Sequence, residues 1–174
     1  MRRPEPLIAP GNDYRSAMDR EPCDDVTATV VVPVYNRGVL LENVRAGLVA
    51  QTVTDFGVIV ADDGSDEDIA EVVDKYRDRL DLRLVRQERD GFGLARVRNL
   101  AAAEVTSDVV AFLDGDCIPG PSWLHRHLVW HRRASNLVVT GSRRHLDAVV
   151  APERVASGTF DLSASAADER DVGD

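Results

Sequence analysis

Two aspartates one residue apart, Asp114 and Asp116, follow directly on the apolar run 109–113 within the stretch FLDGDCIPG. Carboxylates are costly to bury without partners, so a buried strand that ends on them needs a cation or water at that end. On a turn leaving a strand, such a pair offers hard oxygen ligands to Mg2+ or Mn2+, which are commonly shared with substrate phosphates. A cation held there would offset charge developing on a departing diphosphate. We therefore read Asp116, together with Asp114, as candidate metal ligands. A second D-x-D, Asp66-Glu67-Asp68, sits where a helix begins, a place that favours carboxylates by capping and by the helix dipole. We assign that one a structural role.

Two further polar clusters have the same setting. The β-branched run TATVVVP (27–33) leads into Val34-Tyr35-Asn36-Arg37, and GVIVA (57–61) leads into Asp62-Asp63-Gly64-Ser65-Asp66. One aspartate suffices to build a turn and cap a helix. The other, Asp62, stands at the strand end and could accept a hydrogen bond from a base N–H or a ribose hydroxyl.

The elements that must position these clusters alternate in kind. Strands are expected over 27–33, 57–61, 82–86, 109–113 and 137–140. Helices are expected over 38–51 (Val39, Leu40, Val44 and Leu48 at helical spacing), 67–80, 94–104 and 121–133. That alternation predicts an α/β domain with a mostly parallel open sheet, right-handed connections and helices on both faces. All three clusters then lie at the carboxyl ends of strands, on one edge, where open α/β sheets bind ligands. The carboxylates are expected to line a cleft that solvent reaches. Residues 1–25 read as a flexible N-terminal arm, 26–145 as the binding domain, and 146–174 as an irregular tail or the start of a further region.

Composition narrows the partners. With 21 basic and 30 acidic residues the net charge is −9, which argues against nucleic acid and makes a cation the natural mediator for any anionic ligand. All the basic residues except Lys75 are arginines, which suit bidentate phosphate contacts. Two cysteines, Cys23 and Cys117, fit a reducing compartment better than a disulfide framework. No apolar run reaches the roughly 20 residues needed to span a bilayer. A cytoplasmic location is expected, with peripheral contact at the inner face of the membrane left open.

Four ordered motifs carry a family resemblance: PVYN, a helix ending in Gln51-Thr52, DDGS, and ARVRN ahead of DGD. Over roughly 27–145 the chain resembles the nucleotide-sugar-binding half of family 2 glycosyltransferases, with a Rossmann-like GT-A fold. The resemblance implies inverting, metal-dependent transfer of a sugar from a nucleotide diphosphate, UDP above all, to a hydroxyl of a sugar, lipid or small molecule. It implies that Pro33, Tyr35 and Asn36 border the base and that Asp62, beside Asp63, meets the base N–H. Arg98 and Asn99 would help hold the nucleotide, Asp114 would approach the ribose or donor sugar, and Asp116 would hold the Mn2+ or Mg2+.

Members of the family continue into an acceptor-binding half that supplies a general base. Here Asp147, Glu153, Asp161 and Asp168 lack the setting the family uses, so no base is assigned. Further sequence or a partner chain is expected to complete the site, with a homo-oligomer left open; the alternative is a nucleotide-sugar-binding module without turnover. Gly91-Phe92-Gly93 lacks the third glycine of a dinucleotide fingerprint and is read instead as a loop where backbone approaches closely. His127 and His131, Trp123 and Trp130 read as helix surface or core, and Cys117 as a small packed apolar residue.

Overall fold

β-Branched residues favour an extended, buried backbone. In the computed structural model, which describes residues 3–146 and 150–157, the first such run forms strand β1 (Ala28–Val34), buried throughout. Gly57–Asp62 (β2), Asp81–Arg86 (β3) and Val109–Phe112 (β4) join it in a four-stranded parallel sheet of order β3-β2-β1-β4. The chain steps outward from β1 to β2 to β3, then crosses back and lays β4 on the other side of β1. The direction of winding therefore reverses between β1 and β4. Such a switch point opens a crevice beyond the carboxyl ends of the strands.

Helices cover both faces, as the alternation predicts. Gly38–Val49 (α1), Ile69–Asp74 (α2) and, beyond β4, Trp123–His131 pack Leu41, Val44, Leu48, Ile69, Leu124 and Leu128 against Val30, Val32, Val58 and Val60. On the opposite face Leu94–Ala103 (α3) sets Val97 and Ala101 against Val31, Ile59 and Ala61. With α3 numbered, the helix Trp123–His131 is α4, and a short helix α5 (Pro152–Ala156) lies against α1. No helix among the described residues is long and apolar enough to cross a membrane.

Four expectations need correction. Val39 does not join the apolar stripe of α1; it is exposed, and Leu41 takes its place in register with Val44 and Leu48. The helix expected over 67–80 is confined to α2, after which the chain tightens into i→i+3 turns at Tyr76 and Arg77. Those turns bring the Tyr76 ring beneath the buried Arg45, whose guanidinium carbon lies 3.9 Å from the ring centroid. Burial lowers the Arg45 pKa from its usual value.

Residues 137–140 form no fifth strand: Leu137 packs beside Leu7, Ala17 and Ala134, and Val138 faces solvent. That same cluster corrects the picture of residues 1–25 as a loose arm. Leu7 and Ala17 are buried, and the Asn136 side chain accepts from the Leu7 N–H at 2.7 Å and donates to its carbonyl at 3.0 Å. The segment that would have added a fifth strand is thus tied to the N-terminal residues instead of to the sheet.

Candidate functional site

Asn36 ties the end of β1 to the loop after β2. Its φ of +48° is a left-handed conformation that asparagine tolerates better than most residues. There its backbone N–H donates to Ser65 Oγ at 2.9 Å, its Oδ1 accepts from the Asp66 N–H at 2.7 Å, and its Nδ2 donates to Asp66 Oδ2 at 3.1 Å. Glu67 extends the tie by accepting from the Gly38 N–H at 2.8 Å, which caps α1. Asp68 accepts from the Glu71 N–H at 3.1 Å at the start of α2. The second D-x-D is therefore structural, as its position at a helix start suggested.

Asp62 and Asp63 do not line an open cleft. Asp62 is wholly buried: Oδ1 accepts from the Ser65 N–H at 2.9 Å and Oδ2 from Arg86 at 2.7 Å. Asp63 accepts from the Gly93 N–H at 3.0 Å and is also bonded by Gln87 and Arg89. A Cβ on Gly93 would stand 2.2 Å from Asp63 Oδ1, so that loop needs glycine for the close approach. Buried carboxylates require such partners. The expectation of solvent-reached carboxylates therefore fails at β2, because β3 and the loop after it bring two arginines and a glutamine over the strand end.

At the end of β4 the expectation holds. The side chains of Asp114 and Asp116 are 46% and 47% exposed. Between them Gly115 lies so close to β1 that a Cβ would come within 2.4 Å of the Pro33 carbonyl oxygen. That close approach seats the turn carrying both carboxylates against the end of β1. Arg98, from α3, pairs with Asp114, while Arg37, from the loop after β1, reaches Asp116 at 3.1 Å. The Cys117 sulfur lies 3.8 Å from Asp116, and donor atoms of Asp114, Asp116 and Cys117 fall within 4.8 Å of one another. Hard carboxylate oxygens at this separation fit Mg2+ or Mn2+. The thiol is the poorer ligand, since burial first, and then Asp116 and Asp114, push its pKa up.

Pro33 is buried in β1 and Tyr35 is exposed at its end, with the Arg89 guanidinium 3.7 Å from the ring centroid. Asn99 is exposed on α3, one residue past Arg98 and so turned about 100° from it. Among the candidate bases, Glu153 lies in the first turn of α5, whereas Asp147, Asp161 and Asp168 fall outside the described residues.

Trp123 packs on the core and Trp130 beside Leu137, as read from sequence. His127 stacks edge-on to Trp123 at 5.1 Å, and burial lowers the pKa of both His127 and His131. Gln51, which the sequence marks only as the end of a motif, is buried: it donates to the Gly47 and Gly120 carbonyls and accepts from the Leu124 N–H at 3.0 Å, joining α1 to α4. That Arg37, Arg86 and Arg89 are the counter-cations is not legible in the sequence, since spacing cannot say which of many arginines meets which aspartate.

Known proteins resemble this chain in sequence and fold. The chain is 36% identical over 151 residues to chondroitin synthase of Escherichia coli, a match over 82% of this chain but 22% of that protein. The structure of Staphylococcus aureus TarS 1-349 in complex with UDP-GlcNAc matches at 29% identity and a TM-score of 0.55, over 59% of this chain and 30% of that one. A mannosyltransferase of Pyrobaculum calidifontis, PcManGT, in complex with GDP-Man and Mn2+, matches at 27% identity and a TM-score of 0.56, over 67% of this chain and 38% of that one. The chain thus spans well under half the length of each, and its fold is that of the GT-A glycosyltransferases. With residues 29–165 matching glycosyl transferase family 2, the chain belongs to that family.

Proposed function

We propose that this chain binds a nucleotide-diphosphate sugar, a UDP-sugar in first place, at the crevice between β1 and β4 and serves its metal-dependent, inverting transfer to a hydroxyl acceptor. The half-exposed Asp114–Asp116 pair at the switch point carries this reading. Tyr35 and Asn36, which follow β1 and contact Arg89, Ser65 and Asp66, would border the base, and Arg98 pairs with Asp114. Asp62 and Asp63, buried under Arg86, Gln87 and Arg89, would act on the base only indirectly, by holding the loops at the end of β2. Asp116, with Asp114, would hold Mn2+ or Mg2+, which when bound supplies charge stabilisation to the departing diphosphate. In the transfer, the acceptor oxygen bonds to the anomeric carbon as the bond to the diphosphate breaks, and the hydroxyl proton passes to a base.

The relatives lend support within their own scope: one is solved with UDP-GlcNAc and another with GDP-Man and Mn2+. A second reading, a donor-binding half that transfers nothing by itself, rests on the small share of each relative that the chain spans. Calorimetry tests the donor site. UDP is expected to bind at least tenfold more tightly with Mn2+ than with EDTA, and Asp116→Ala to abolish that difference while Asp66→Ala keeps it. Equal affinity with and without metal overturns the metal reading. A donor-consumption assay over a panel of hydroxyl acceptors then separates transferase from binding module.

A further inference from the structure

The two arginines at the DGD turn are held in different ways. Arg98 projects from α3, its side chain 30% exposed and its Nε buried, and is the more enclosed of the two. Arg37 lies in the loop between β1 and α1, is 58% exposed, and touches Asp116 through a single contact of 3.1 Å. An ion pair so exposed contributes little and exchanges readily. The contact also spans the crevice, joining the end of β1 to the turn after β4. Arg37 therefore occupies Oδ2 of Asp116, one of the two oxygens that carboxylate can offer a cation.

The two carboxylates of the turn are paired with two guanidiniums, and a third, Arg143, acts on the adjacent Cys117. A divalent cation entering alone adds two positive charges to a turn whose carboxylates are already neutralised. A diphosphate arriving with it removes the excess, and a guanidinium suits phosphate oxygens through its forked donors. We infer that Arg37 is an exchangeable donor-phosphate residue: it neutralises Asp116 in the free protein, yields that carboxylate to the cation, and moves onto the donor diphosphate. The inference rests on the proposed metal-dependent donor site and adds to it the residue that couples the two ligands. By linkage, metal and nucleotide each strengthen the other's binding by the same factor.

The test compares the full chain with Arg37→Gln, an exposed substitution outside the core. Mn2+ alone, followed by the electron paramagnetic resonance of the free ion, is expected to bind the variant about two- to fivefold more tightly than wild type, because its competitor is gone. UDP at saturating Mn2+, followed by calorimetry, is expected to bind the variant about tenfold more weakly, because a charged hydrogen bond is lost. Unchanged or weaker Mn2+ binding by the variant, or unchanged UDP affinity, overturns the exchange while leaving the donor site standing. Wild type that binds UDP equally in Mn2+ and EDTA overturns the donor site and the exchange together.

Discussion

At the end of β2 the carboxylates of Asp62 and Asp63 are buried and surrounded by fixed partners, whereas at the end of β4 those of Asp114 and Asp116 are half-exposed and pair with one arginine each. Both pairs follow parallel strands of one sheet and face the same edge. What separates them is their neighbours. β2 is an interior strand, overlaid by the loop that leaves β3; β4 is an edge strand beside the crevice. A carboxylate surrounded by fixed donors holds loops together, and one left wet remains available to a ligand.

The largest effect should come from Arg86→Ala, which leaves Asp62 buried without its cation. Arg86 is itself half-exposed, so the loss lies at the lower end of that for a buried pair broken from one side, about 3 kcal/mol, a fall in Tm of about 6–12 °C for a chain of this size. Arg37→Ala, at the exposed pair, should cost no more than about 1 kcal/mol. Urea denaturation of both variants checks this, and equal losses would erase the contrast between the two strand ends.

Gly115→Ala should come next. Its Cβ would overlap the Pro33 carbonyl, so backbone must shift, at about 2 kcal/mol. Because the shift tilts the DGD turn, Mn2+-dependent UDP binding should fall along with stability. Unaltered binding in a destabilised variant would mean that the close contact serves the fold and not the carboxylates.

The smallest effect lies at the opposite end of β4, where Asp108 accepts from the Thr27 N–H at 3.1 Å and from its hydroxyl at 2.9 Å. These bonds hold its carboxyl below the ordinary value of 3.8. A carboxyl lowered by folding adds stability that is complete above the ordinary value and is lost as pH falls through the lowered one. Solvent screening at this exposed site limits the contribution to about 0.5 kcal/mol. Asp108→Asn should therefore be slightly less stable than wild type near pH 6 and converge with it near pH 2. A gap that widens in acid would show that the bonds do not favour the charged form.

The sequence by itself determined the layers and the edge. Period-two and period-3.6 patterns are local, and they placed four strands, the helices between them and three polar clusters at the carboxyl ends of strands. Motif order was enough to reveal the family, and the helix-start position of Asp66 and Asp68 to mark them as structural. The tertiary structure decided everything that depends on which distant groups meet. It turned 137–140 away from the sheet toward Leu7, and buried Asp62 and Asp63 under arginines that are distant in sequence. It also left Asp114 and Asp116 in water. Solvation and pairing are properties of a neighbourhood assembled from several loops. A chain rich in both aspartate and arginine has many possible pairings, and only the packing of β1 between β2 and β4 selects among them.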